Sequence, residues 1–229
     1  MSVQKEFSKN AHHYDEYNTI QNRVVEDLIA LGSKDEKNIL DLGCGSGSVY
    51  KALKSEVDSF LGVDFSAPML ELHPKSKNVK TVLGSFNDDE LFTELAKNSY
   101  DRIYSASALQ WATDLDQTFK NIKELGTPIS FSIFTSNTFK TIYEVTELNP
   151  LLRSTEVLKE LIEKYFDATI TTKNYKLEFE SKSEMFSYIK NSGVSSGQRV
   201  LNYRQTKKLL EHYPINYLEF EVMFIHQNF

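Results

Sequence analysis

Residues 39–50 read ILDLGCGSGSVY, and the rest of the chain takes its meaning from them. Within residues 43–47 lie three of the chain's nine glycines and its only cysteine, Cys44. An apolar run leads straight into this Gly-x-Gly-x-Gly turn, and a helix is expected to leave it near residues 46–48. In an open α/β sheet, ligands bind beyond the carboxyl ends of the strands, and the first strand-to-helix turn is the usual place. Glycines there admit unusual backbone angles and remove the β-carbons that would hold a ligand off the backbone. The helix start adds N–H donors. A reactive thiol needs an activating His, Lys or Arg, and none stands beside Cys44, which is close to Asp41 instead. The loop is therefore read as a ligand cradle.

Alternation along the chain supports that sheet. Residues 38–42, 59–63, 79–83, 100–105 and 129–134 read as strands, several apolar on both faces, as a covered parallel sheet requires. Helical patterns separate them. The clearest starts at Thr113 or Asp114 and carries Leu115, Phe119, Ile122 and Leu125 on one stripe. This order predicts a doubly wound α/β sheet with right-handed crossovers. Ile20, Val24, Leu28 and Leu31 make a helical stripe before it; Val157, Leu158, Leu161, Ile162, Tyr165 and Phe166 make one after it. Residues 169–180 read as a strand and 183–190 as a helix, with Ser181 and Glu184 at capping-box spacing. Residues 217–225, YLEFEVMFI, alternate with a period of two and predict an antiparallel strand at the late edge. No linker is evident. One domain over residues 1–229 is expected: a helical cover to 34, a cofactor-binding core over 35–136, and acceptor-side helices and final strands over 137–229.

The totals restrict the function. A chain of 229 residues with 40% hydrophobic and 25% charged residues is ordinary for a soluble globular protein. A net charge of −6 argues against broad binding to nucleic acid. The start, MSVQKEFSKNAHHYDEY, has no apolar signal core, and no apolar run is long enough for a membrane span. A single cysteine makes no internal disulfide, so a cytoplasmic location is expected. His12 and His13 have no Asp, Glu or Cys at metal spacing and are read as surface residues, so no metal is expected.

Spacing narrows the ligand. A Walker loop needs Gly-Lys-Ser/Thr after four residues, which is absent, and the third glycine of a dinucleotide fingerprint would fall at Ser48. Asp41 ahead of the loop would repel a pyrophosphate but suits an ammonium group. Asp64 ends the next strand, 23 residues after Asp41, where a carboxylate can accept both hydroxyls of a ribose. Gly43, Gly45 and Gly47 with these two acids resemble the class I S-adenosylmethionine-dependent methyltransferases. The resemblance implies S-adenosylmethionine as cofactor and S-adenosylhomocysteine as product. It implies that Asp41, Gly43, Cys44, Gly45, Gly47 and Asp64 hold the cofactor, with Phe65 and Met69 along the adenine. Many members have Gly-Asp after the third strand; here VLGSF leaves Ser85, the Phe86 backbone or no group at all to meet the adenine amino group. Ser105 and Ala106 are expected near the methyl donor.

Three further segments resemble the malonyl-carrier-protein O-methyltransferases that begin biotin synthesis. They are FSKNAHHYDEYNTIQNR, SASALQWATD and YIKNSGVSSGQRVLNYRQ. The resemblance implies a malonyl thioester on acyl carrier protein, or malonyl-coenzyme A, as methyl acceptor. A carboxylate is already ionised near neutrality, so no general base is required, and none is assigned. Arg199 is the expected grip on the malonyl carboxylate. Gln110 and Trp111 shape the acceptor pocket, and Tyr14 closes over it. Arg199 and Arg204 with Lys207 and Lys208 would form a landing patch for an acidic carrier. Two rivals stand: a methyltransferase for another small acid or a quinone-type ring, whose ring carbon would call for a base, and a non-catalytic nucleoside-binding module.

Overall fold

The first strand, β1 (Asn38–Leu42), has its last four residues buried and sits inside a seven-stranded sheet. The structure is a computed structural model and describes residues 18–33, 35–53, 57–191 and 203–228. The other strands are β2 (Ser59–Asp64), β3 (Val79–Leu83), β4 (Arg102–Ala106), β5 (Ile129–Phe134), β6 (Thr169–Glu178) and β7 (Tyr217–His226). Their spatial order is β3-β2-β1-β4-β5-β7-β6. The chain runs outward from β1 to β3, returns to the far side of β1 at β4, and continues outward. The reversal lies between β1 and β4, and there the loops beyond the strand ends separate into a crevice. The first five strands are mutually parallel. β7 is antiparallel to both β5 and β6, so the alternating late strand lies one place in from the edge, with the largely exposed β6 outside it.

β4 begins two residues later than the apolar pattern suggests. The Asp101 carboxylate accepts from the backbone N–H groups of Lys37 and Asn38, both at 2.8 Å, and spends this stretch on a turn. β7 buries Leu218, Phe220, Val222 and Phe224 on one face, as alternation requires.

Helices cover both faces of the sheet. The helix α1 (Thr19–Ile29) buries Ile20, Val24, Val25 and Leu28. Short helices α2 (Ser48–Ala52), α3 (Ala67–Leu72) and α4 (Asp89–Leu95) follow β1, β2 and β3. The helix α5 (Leu115–Glu124) is capped by Asp114, whose carboxylate accepts from the Gln117 N–H at 3.0 Å. Its Phe119 lies 6.4 Å from Phe131 of β5 in a parallel arrangement. Phe166 meets Phe119 edge-on at 5.5 Å. Fully burying such a side chain contributes about 1.5–3 kcal/mol, and it holds α7 (Thr155–Tyr165) and α5 on the same face.

The remaining helices are α6 (Lys140–Thr146), α8 (Lys182–Asn191) and α9 (Tyr203–His212). At α8 the Ser181 hydroxyl accepts from the Glu184 N–H, and the Glu184 carboxylate reaches back to the N–H of Glu180. That is capping-box logic displaced by one residue.

Candidate functional site

The glycine turn needs its glycines. Gly43, Gly45 and Gly47 have φ of 79°, 52° and 87°, in the left-handed region that side chains disfavour. At Gly43 space matters as well, because a β-carbon would come within 2.3 Å of the Ala108 β-carbon. The loops after β1 and β4 therefore meet there backbone to side chain. The N–H groups of Gly43 and Cys44 both donate to the Val63 carbonyl, at 2.8 and 3.0 Å, and tie the turn to β2. Cys44 is buried against Gly62. Burial and the charges of Asp41 and Asp64 push its thiol well up, which makes it a packing residue rather than a nucleophile.

Asp64 braces the same loop. One carboxylate oxygen accepts from the Gly45 N–H at 2.9 Å and the other from the Ser66 N–H at 2.8 Å. Burial raises this carboxyl, and the backbone N–H bonds from Ser66, Gly45 and Phe65 oppose the rise. Each oxygen keeps acceptor capacity for a second donor. Phe65, Met69 and Phe86 stand beside it in one cleft. An acceptor carboxylate flanked by apolar walls suits a ribose joined to a flat base.

Asp41 is different. It is 1% exposed, sits two residues before Gly43, and neither carboxylate oxygen has a hydrogen-bond partner among the described residues. Burial, then the Asp64 charge, push its carboxyl well above the usual range. A buried carboxylate left without donors is costly unless a cation or donor joins it. An ammonium group supplies both.

The β4 side closes the cleft with Ala106, Ser107, Ala108 and Trp111; the last ends a 3-10 turn, Leu109–Trp111. Ser107 and Ala108 carry no sequence signal of a role in the site. Neighbouring Ala106 marks the region, but nothing along the chain announces that Ser107 has a φ of 57°. Its N–H donates to the Ser132 carbonyl at 2.9 Å, and its Oγ is buried without a partner among the described residues.

Several candidates turn their side chains elsewhere. The Ser105 hydroxyl donates to the Leu42 carbonyl at 2.7 Å and locks β4 to β1. The Ser85 hydroxyl accepts from the Asn87 N–H at 3.2 Å and shapes its own turn. Gln110 is buried; its Nε2 donates to the Ser107 carbonyl at 2.6 Å while its Oε1 is unpartnered among the described residues. A cation that no motif marks braces this turn: Arg153 donates to the carbonyls of Gln110 and Ala112, at 3.3 and 2.9 Å. Tyr14 and Arg199 lie outside the described residues.

The cleft is open to solvent, and its cavity volume is about 50 Å³. Its described wall holds one ionisable side chain, Asp64. Among the described residues no helix is long and apolar enough to cross a membrane.

Residues 40–134 match the family model described as a methyltransferase domain. Over 85% of its length the chain is 29% identical to malonyl-[acyl-carrier protein] O-methyltransferase 1 of Ilyobacter polytropus, spanning 78% of that protein. It is also 29% identical to the malonyl-[acyl-carrier protein] O-methyltransferase of Acetivibrio thermocellus, over 92% of this chain and 85% of that one. The plantazolicin methyltransferase BamL, solved in complex with a triazolic desmethylPZN analog and S-adenosylhomocysteine, shares the fold. Its TM-score is 0.56 at 15% identity, covering 99% of this chain and 94% of that one. S-adenosylmethionine is the donor of this methyltransferase class, and the residues present fit it. The orphaned Asp41 carboxylate matches the ammonium, and Asp64 between Phe65 and Phe86 matches the nucleoside.

Proposed function

We propose that this class I methyltransferase esterifies the free carboxylate of a malonyl thioester carried on acyl carrier protein or coenzyme A, using S-adenosylmethionine. The observation that carries the reading is that the described wall of the cleft offers no general base. Along the described wall of the cleft the only ionisable group is Asp64, engaged by two backbone N–H groups. A ring-carbon acceptor would call for a His or Glu beside the methyl group. A carboxylate needs neither, because it is already a nucleophile at neutral pH. The names of the similar proteins support the same acceptor.

The bound cofactor supplies an electrophilic methyl on a positively charged sulfur. The chain's own work is to hold the acceptor in line with that methyl and to exclude water. Because the two reacting charges cancel as the ester forms, apolar surroundings favour the step. Phe65, Met69, Phe86 and Trp111 provide them. Asp41 and Asp64 hold the donor's ammonium and ribose. Arg199 grips the acceptor carboxylate, with Trp111 shaping its pocket, Gln110 bracing the Ser107 carbonyl behind it, and Tyr14 closing over it. Arg204, Lys207 and Lys208 form the approach surface for an acidic carrier, beside Tyr203, 84% exposed on the same helix.

The test is incubation with methyl-labelled S-adenosylmethionine and either malonyl-carrier protein or malonyl-coenzyme A. Label should appear as a base-labile ester on at least one of them. Absence of label on both, under conditions where the cofactor binds, removes this acceptor.

A further inference from the structure

Ser107 combines three features that a loop serine has no local reason to combine. Its backbone is in the left-handed region, which a non-glycine residue occupies at a cost of order 1–3 kcal/mol. That conformation is held from both ends: its N–H donates to the carbonyl and hydroxyl of Ser132, at 2.9 and 3.2 Å, and its own carbonyl accepts from Gln110 Nε2 at 2.6 Å. Ser107 lines the cleft, and its hydroxyl is buried with no partner among the described residues. Left-handed loop serines commonly satisfy their hydroxyl on nearby backbone; this one does not. Glycine at 107 would remove both the strain and the orphaned donor.

The position is also informative. Ser107 directly follows Ala106, the last residue of β4, on the side of the crevice opposite Asp64 and Phe65. Ser107 and Trp111 line the same cleft. Among the described wall residues, Ser107 carries the hydroxyl; the others are two glycines, two alanines, Met69, three aromatic residues and Asp64.

We propose that Ser107 is the hydrogen-bond donor that orients the acceptor, a role resting on the carboxylate reading above. Its hydroxyl binds the carboxylate oxygen that does not attack. The other oxygen contributes the electron pair that forms the O–CH3 bond, the C–S bond breaks with its pair left on sulfur, and Ser107 keeps its proton throughout. Since the acceptor's charge disappears during transfer, this hydrogen bond is strongest before the reaction. Its loss therefore appears mainly in KM.

Ser107→Ala and Ser107→Gly test this, with malonyl-coenzyme A and malonyl-carrier protein as acceptors and S-adenosylhomocysteine for cofactor binding. Both variants should raise the acceptor KM about tenfold or more, as expected for one hydrogen bond to a charged group. The change in kcat should stay within about threefold and the S-adenosylhomocysteine Kd should be unchanged. Ser107→Gly should melt at or above the wild-type temperature, a rise in stability alongside a loss of acceptor binding. An unchanged KM in both variants, or a weakened cofactor Kd with unchanged KM, overturns the role. A wild-type protein that labels neither malonyl thioester overturns the acceptor reading itself, and the role of Ser107 with it.

Discussion

Asp41→Asn should weaken S-adenosylhomocysteine binding roughly 30- to 150-fold, which corresponds to the loss of about 2–3 kcal/mol from a buried charge-assisted contact. The same substitution should leave the cofactor-free protein equally or more stable. Both effects follow from one fact, that the Asp41 carboxylate is buried with no donor among the described residues. Its folded-state carboxyl is raised by burial and by Asp64. Such a group holds its proton in the native state after the unfolded chain has released it. Native stability is then full near and below the unfolded carboxylate range, and falls as pH rises towards the folded value. Asparagine cannot ionise, so this slope should flatten in the variant. Binding an ammonium reverses the situation, because the ion pair favours the ionised carboxylate and expels its proton. Wild-type affinity should therefore rise with pH and then level off; the variant's should not. Calorimetric titrations and thermal melts over a pH series measure both. Tight binding by Asp41→Asn, or an unaltered stability slope, would contradict the assignment.

Arg102→Met should produce the largest loss of stability, without touching the reaction. Arg102 and Glu36 are each about 1% exposed, and Nε donates to Glu36 Oε1 at 2.9 Å. The Tyr104 hydroxyl donates to Glu36 Oε2 at 2.6 Å, and the Ser33 N–H donates to Oε1 at 3.0 Å. Arg102 also donates to the carbonyls of Ile129 and Gln227 and so joins β4 to β5 and the end of the chain. Removing the guanidinium leaves a buried carboxylate short of its cation and two carbonyls short of a donor. Breaking a buried pair in this way costs about 3–5 kcal/mol, a fall in Tm of roughly 6–20 °C for a chain of this size. Replacing Glu36 as well, by Leu, should recover part of the loss. Below the melting range, cofactor affinity should be unchanged, because Arg102 opens β4 and the cleft lies beyond Ala106 at its other end. A Tm shift of only a degree or two would show that the pair is not structurally important.

The frame of the molecule was legible because it depends on patterns along the chain. Apolar runs and helical stripes located β1, β2, β3 and β5 almost to the residue, and the alternation of Leu218, Phe220, Val222 and Phe224 marked β7. The glycine turn and the two acids were legible for a related reason: the residues that make the turn are adjacent, and Asp64 follows at the end of the next strand. Side-chain direction was not legible. Ser105 and Ser107 are two residues apart, yet one bonds the Leu42 carbonyl and the other is on the cleft wall. That difference arises from a left-handed residue that no local signal announces. Pairings across long separations were hidden as well. Glu36 and Arg102 read as ordinary charges beside apolar strands, and only the sheet brings them together. Arg153 follows two leucines and reads as helix-flanking charge, but it holds the carbonyls of the Leu109–Trp111 turn. The helix α6 has no sequence cap; it runs between left-handed Phe139 and Glu147.

Methyl transfer to a carboxylate needs no base, and the pH dependence of kcat reports on that requirement. With S-adenosylmethionine and malonyl-coenzyme A or malonyl-carrier protein both saturating, kcat should be flat from about pH 6 to 9, because the acceptor is ionised throughout. A malonyl thioester already esterified at its carboxylate should accept no methyl. A kcat that climbs with pH through a single ionisation, or label appearing on the esterified thioester, would rule out a base-free carboxylate acceptor.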